Sequence, residues 1–374
     1  MRKKIAQSIV VGAFIVIICL AGINWTLLEK YVDNTNYENR KLTSRPTLTI
    51  DNYGTFSKEY NEYYNDNIPF RNVLISLNST IDYFIFKRSS SDSVIVGNDN
   101  WLFYCRKSDN DPIGCYQGTN LFSEEELESI AQNCIIQRDY LLQRGKEFVI
   151  FIAPNKERVY FEKMPEQYGP PAVNYRALQV VNYLKENTDI RVVYPYDELM
   201  AAKDSLNYNI YYKTDTHWNY IGGYVGAAAL MRELGIDMPS LDAPEMEILN
   251  GENRAGDLAG MLNLKRQLKF ADNEYQIQGY DYHDIQTLER DLTTVCSFSA
   301  TDADPRKIYV YRDSFAEAMF PFIGSQFSES YFRHIFTYSY EDYVQQDPDI
   351  FVYEAVERNI GNLIWFSVET NQDE

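Results

Sequence analysis

Residues 307–324, KIYVYRDSFAEAMFPFIG, set a short run of β-branched and aromatic residues before a polar triplet and then an apolar stretch. That order reads as strand, exposed turn and helix. The same alternation recurs on both sides of it. Upstream lie the strand EFVIFIAP (147–154), the helix YRALQVVNYLKEN (175–187), the strand RVVYP (191–195) and the helix NYIGGYVGAAALMRELG (219–235). Downstream, YFRHIFTY (331–338) and DIFVYEAV (349–356) read as further strands. Residues 93–104, SVIVGNDNWLFY, predict a hairpin turning at GNDN. Residues 123–145 predict a helix with a Ser123/Glu126 capping box and Gly145 as its stop, because Leu127, Ile130, Ala131, Cys134 and Ile135 recur at helical spacing. Strands alternating with helices predict an α/β domain over residues 91–374 with a doubly wound, mostly parallel sheet. Residues 240–300 are less regular and predict an insertion of hairpins and loops.

The remainder of the chain is organised differently. Arg2, Lys3 and Lys4 precede the apolar run 5–28, which is long enough to span a bilayer. The basic tip predicts a single-pass signal anchor over residues 1–30, with the N-terminus inside and the rest of the chain outside the cytoplasm at the cell membrane. Residues 31–90 predict a tyrosine-rich helical stalk divided near Pro69. A net charge of −19 excludes nucleic acid as a natural partner, since phosphate binding needs a basic face. Outside the cytoplasm disulfides are permitted. Cys105 and Cys115 flank a polar loop containing Pro112 and Gly114, which predicts a local disulfide; Cys134 reads as a buried free thiol. No spacing of His and Cys suggests a metal, and no motif calls for a cofactor.

In an open parallel sheet, ligands bind beyond the carboxyl ends of the strands. Asn155, Lys156 and Arg158 follow one strand; Arg312, Asp313 and Ser314 follow another; Glu354, Glu357, Arg358 and Asn359 follow the last; Asp215 and His217 precede a helix. Ser314, at a strand-to-helix turn, is the candidate nucleophile, with helix-start N–H groups available to an oxyanion. A serine hydroxyl needs a base to take its proton, and Asp215 with His217 supplies a carboxylate and an imidazole on one side of an extended backbone. The helix start behind His217 opposes its protonation and Asp215 favours it. Each residue also has a plainer reading: Ser314 and Asp215 as caps, and His217 as a structural histidine. The other two histidines fall in the irregular insertion (His283) and in a strand (His334). Phosphate loops and the G-x-S-x-G elbow are absent.

The pair DTHWNYIGGYVGAAAL (215–230) and YRDSF (311–315) resembles the AlgX/AlgJ-like polysaccharide O-acetyltransferases and their DHHW-type relatives, an SGNH-hydrolase-like group. ENRKLTSRPTL, DNIPFRN, NDNWLFY, APNKERVY, AGDLAGML and VYEAVERN extend the resemblance over about residues 38–360. It implies a circularly permuted SGNH-like fold and a triad in which Asp215 orients His217 and His217 activates Ser314. It implies a ping-pong transfer of acetyl to hydroxyls of an exported or cell-wall polysaccharide, with the donor delivered through a membrane-bound O-acyltransferase. Asn155, Lys156, Arg158, Arg312, Trp218, Glu354 and Arg358 would shape the site or scaffold it. Thr216 stands where DHHW proteins have their first histidine. An acetyl esterase with the same triad, and a non-catalytic glycan-binding or assembly protein, are the competing readings.

Overall fold

The computed structural model describes residues 41–67, 71–280, 285–291 and 293–369, together with Val11, Gly12 and Ile15. The expected anchor therefore lies almost wholly outside the described residues, as does His283. Among the described residues no helix is long and apolar enough to cross a membrane. The chain divides into two compact units, Met1–Ser91 with Gly260–Gln267, and Asp92–Ala259 with Leu268–Glu374.

The first unit contains helices α1 (Phe56–Asn67) and α2 (Arg71–Phe84); Pro69, where the stalk was expected to divide, lies outside the described residues. The Asp66 carboxylate accepts both the N–H and the hydroxyl of Thr43 at 2.8 Å, tying the extended segment before α1 to its end.

The second unit opens with the expected hairpin, β1 (Val94–Val96) and β2 (Leu102–Tyr104), paired antiparallel. Its main sheet contains β3 (Glu147–Ala153), β4 (Arg191–Val193), β7 (Ile285–Asp291), β8 (Val295–Ala300), β9 (Asp304–Arg312), β10 (Phe327–His334) and β11 (Ile350–Val356), in the order β4-β3-β11-β9-β10-β8-β7. The first five are mutually parallel; β8 joins β10 and β7 joins β8 antiparallel. The sheet is thus mixed. Two of the four strands in the region read as an irregular insertion, β7 and β8, belong to it, and the other two, β5 (Glu247–Arg254) and β6 (Asp272–Gln278), form a separate antiparallel ribbon.

The parallel strands are legible because both of their faces are covered. Val149, Phe151 and Ala153 enter one core and Phe148, Ile150 and Ile152 the other, the period-two alternation of a strand buried on both sides. The second core takes in α3 (Glu124–Leu142) through Leu127, Ile130 and Cys134, and α4 (Arg176–Asn187) through Val180 and Leu184. The first takes in α5 (Tyr196–Ser205) through Leu199 and α6 (Tyr220–Glu233) through Ile221, Ala227 and Leu230. Helix α3 carries the full capping box: the Ser123 hydroxyl accepts the Glu126 N–H, and Glu126 accepts the Ser123 N–H. The stretch after Ser314, expected as one helix, is a 3₁₀ turn (Ser314–Met319) followed by a short α-helix (Phe320–Gly324).

The disulfide expected between Cys105 and Cys115 is not formed; both thiols are free. The segment between them is no simple loop. Pro112–Gln117 folds as a helix capped by Asp111 and buries Cys115, whose thiol donates to Asn110 O, while Cys105 Sγ donates to Asp92 O in another direction.

Helix α6 presses against the Ser314–Met319 turn where only glycine fits. A Cβ at Gly223 would sit 2.5 Å from Ala318 O and 2.6 Å from Ala318 Cβ. Gly223→Ala is expected to cost about 1–3 kcal/mol by overpacking. A urea midpoint equal to wild type would show that helix and turn separate freely.

Candidate active site

Parallel register carries β3, β9 and β11 to one edge of the sheet, so the polar residues following each strand converge there. Arg312 ends β9, and Asp313 caps the turn that begins at Ser314. Asp313 Oδ1 accepts the Phe315 N–H at 2.9 Å; Oδ2 accepts the Val356 N–H at 2.8 Å and the Asn359 amide at 3.2 Å. The Asp313 N–H donates to Glu354 at 3.0 Å. One of the helix-start donors is thereby occupied by the cap itself, while the whole turn is tied to β11.

Residues 211–218 form a tight loop closed by a bridge between Tyr211 and Trp218 and by the Tyr212 N–H donating to His217 O. The D-x-H spacing works here through a side-chain turn and not through a flat strand. Asp215 Oδ1 accepts the backbone N–H of His217 at 3.1 Å and also lies 2.7 Å from His217 Nδ1. His217 Nε2 lies 2.8 Å from Ser314 Oγ. Because ionised Asp215 only accepts, Nδ1 carries the proton and Nε2 presents its lone pair to the serine hydroxyl. Asn219 caps α6 through the Ile221 and Gly222 N–H groups. Trp218 packs beneath the site: it is buried, and its indole N–H donates to Phe315 O at 2.8 Å.

Residues not singled out for the site in the sequence complete the acid. Arg254 at the end of β5 donates to Asp215 Oδ2 at 2.7 Å and to Glu274 of β6 at 2.8 Å, with its guanidinium 4.2 Å from the Tyr212 ring. The Asp257 N–H donates to Asp215 Oδ2 at 3.2 Å. The Asp257 carboxylate takes the N–H and hydroxyl of Thr216, whose oxygen stands 3.1 Å from His217 Nδ1. Gly256 explains the AGDL motif: a Cβ there would meet Asp215 Cβ at 2.3 Å, and its N–H donates to the Thr214 hydroxyl. Thr214 and Lys213 are in turn held by the Asp272 carboxylate.

Electrostatics follow from this arrangement. Burial would raise the Asp215 carboxyl, but the His217 hydrogen bond and charge, joined by Arg254, hold it well below the usual carboxylate range. Burial alone would lower His217, yet the Asp215 hydrogen bond and charge raise it above the ordinary histidine value. The balance left open by the sequence is settled by the carboxylate. Burial, then the Asp215 charge, raises Asp257.

The other residues singled out from the sequence divide into clips and scaffold. Lys156 is buried and donates to Leu102 O, Lys213 O and Asp215 O at 2.6, 2.9 and 2.8 Å; burial pulls it down to about 8. Arg158 pairs with buried Glu357 at 3.0 Å, stacks on Tyr175 and donates to Cys115 O and Ala172 O. Asn155 gives its N–H to Glu357. Arg312 is fully buried and reaches Glu317 at 3.2 Å. Burial, then the Asp313 charge, raises the Glu354 carboxyl well above the usual carboxylate range. Arg358 stands over the Tyr104 and Phe315 rings. His334 lies on β10 in register with Arg312 of β9, with its ring on Phe336.

A cleft of about 760 Å³ opens over the serine. Tyr212, Tyr220, Tyr275 and Phe322 line it together with His217, Ser314, Arg254 and Glu317. Asp215, His217 and Asp257 could each offer one ligand atom within 4.8 Å of one another. Both Asp215 oxygens are already engaged, one of them by a guanidinium, so this set does not fit a cation. Arg254→Met removes a positive charge from Asp215, and His217 is expected to titrate at higher pH than in the wild type. Proton NMR of the imidazole reads this; an unmoved midpoint would show that Arg254 does not bear on the pair.

Residues 94–292, more than half of the chain, match the family described as the SGNH hydrolase-like domain of the acetyltransferase AlgX. The matched segment includes Asp215 and His217 and ends before Ser314. A probable alginate O-acetylase AlgJ of Pseudomonas syringae pv. tomato is 26% identical over 59% of this chain and 54% of its own length. The chain spans about half the length of the curated relatives it matches. Among solved structures, a DHHW family protein from Eubacterium siraeum superposes with a TM-score of 0.54 at 14% identity, covering 75% of this chain and 98% of that one. PatB1 of Bacillus cereus gives 0.50 at 16%, covering 74% and 100%. These two share the fold. The chain belongs to the AlgX family of SGNH hydrolase-like acetyltransferase domains.

Proposed function

We propose that this protein is a serine-dependent O-acetyltransferase that acts on hydroxyls of an exported or cell-wall polysaccharide. The observation that carries the reading is the pair of contacts at His217, 2.7 Å to Asp215 and 2.8 Å to Ser314 across 97 positions of sequence. In the first half-reaction, His217 Nε2 takes the Ser314 hydroxyl proton as Oγ attacks the donor's acetyl carbonyl. The C–O or C–S bond to the leaving group breaks, and that group leaves with the proton from His217. In the second, a sugar hydroxyl gives its proton to Nε2 and attacks the acetyl-serine carbonyl. Ser314 Oγ departs with the proton, and the enzyme is restored.

Tyrosine and phenylalanine rings along the cleft suit the apolar faces of a sugar and favour transfer over hydrolysis by water. The names of the relatives, probable alginate O-acetylases, support a polysaccharide acceptor. The acetyl donor is delivered from a membrane-bound O-acyltransferase, and the chain is anchored by residues 1–30 with its second unit outside the cytoplasm.

The purified chain given an activated acetyl ester should release product faster when oligosaccharide is added, with acetyl recovered on the sugar. Acetate release indifferent to every acceptor would identify an esterase. Ser314→Ala is expected to lower turnover by roughly a thousandfold or more; wild-type turnover in that variant would end the serine mechanism. Because His217 is raised and must be neutral to act as base, kcat/KM should fall as pH drops through a value above that of ordinary histidine. A profile flat through that region would remove His217 from the base role.

A further inference from the structure

Helix α2 is amphipathic in the opposite sense to a helix packed on a protein core. Val73, Leu74, Leu77, Ile81 and Phe84 are between 39% and 58% exposed, and Ile85 just beyond the helix is 68% exposed. At 100° per residue these six fall within a stripe of about 120°. The residues turned inward are Ser79, Asp82 and Tyr83. The polar side is satisfied within its own unit: Ser79 meets the Ser90 hydroxyl at 2.6 Å, Arg88 holds Asp82 at 2.8 Å, and the Gln267 amide donates to Ser76 and Thr80. Polar groups are spent on the fold while the apolar stripe faces outward.

Charge indicates what covers it. Apart from Arg2, Lys3 and Lys4 on the inner side of the proposed anchor, the unit formed by Met1–Ser91 and Gly260–Gln267 has ten Lys and Arg against eight Asp and Glu, a net of +2, with Arg71, Lys87, Arg88, Lys265 and Arg266 on or near α2 in sequence or in the segment that joins it. The other unit carries −24. The basic unit is also the one that contains the apolar run 5–28. A second copy would bring a like charge to the stripe, whereas an anionic bilayer offers both an apolar boundary and opposite charge. We propose that α2 lies in the surface of an anionic membrane, with the stripe from Val73 to Ile85 at the headgroup boundary.

Hydrogen exchange of the full chain tests this, reconstituted into vesicles of phosphatidylcholine alone or with 30% phosphatidylglycerol. Amides of residues 71–86 should exchange at least tenfold more slowly in the anionic vesicles, and 0.5 M NaCl should reverse much of that protection. The triple variant Leu74→Asn, Leu77→Asn, Ile81→Asn should lose it, while exchange in residues 147–153 and 350–356 stays as in wild type and reports an intact fold. Equal exchange in both vesicles, or a chain that does not associate with them, overturns the proposal. Protection that rises with protein concentration at fixed lipid also overturns it, by assigning the stripe to a second copy.

Discussion

The site rests on one buried carboxylate. Asp215 is 3% exposed and accepts from the His217 ring, the His217 N–H, Arg254 and the Asp257 N–H. Burying an ion costs several kcal/mol, and hydrogen bonds to charged groups return about 1.5–3 kcal/mol each. Two donors would barely offset the burial; four do so and also fix the oxygens in direction. Oδ1 is turned to the imidazole and Oδ2 to the ribbon. That division determines the tautomer of His217 and hence which nitrogen faces Ser314.

The backbone around Asp215 is held by a second kind of contact. Lys156 gives its three N–H groups to three carbonyls, one on the β1–β2 hairpin and two on the 213–215 loop. An ammonium has three donors for these three acceptors, so the neutral amine would leave one carbonyl facing a lone pair. Burial lowers the lysine while the carbonyls require its charged form; the cleft does not reach it. Arg158 and Glu357 act similarly one layer away: breaking such a buried pair from one side costs about 3–5 kcal/mol, although the pair itself adds little. Neither cation touches the space above Ser314.

The parallel strands could be read from sequence because burial on both faces makes them continuous apolar runs. Strand β7 could not: six of its seven residues are exposed and five of those are polar, which reads as loop, and its place at the sheet edge depends on β8 beside it. Asp215, His217 and Ser314 stood out because each lies at an element boundary with a chemistry-bearing side chain. Arg254, Asp257 and Asp272 did not, since they reach the 213–217 loop from an irregular region 39 to 59 positions away. Lys156 and Arg158 were noticed for being charged after a strand, yet they point inward; sequence gives their position and not their direction. The Cys105–Cys115 spacing misled because a helix capped by Asp111 occupies what looked like a closing loop.

The ribbon of β5 and β6 joins two tasks that could have been separate. Its residues Glu274, Tyr275, Gln276 and Ile277 form a wall of the cleft, and its Arg254 and the following Gly256 and Asp257 hold the acid. Arg254 bonds both Asp215 and Glu274, and Glu274 takes the Tyr212 hydroxyl at 2.6 Å, so wall and acid share one set of hydrogen bonds. Under the proposed reaction, a change of acceptor that reshapes β6 around Glu274 therefore acts on the base as well as on binding. Tyr275 lines the same wall, with its ring against Tyr208, and under the proposed reaction acceptor preference can vary there while Asp215 stays in place.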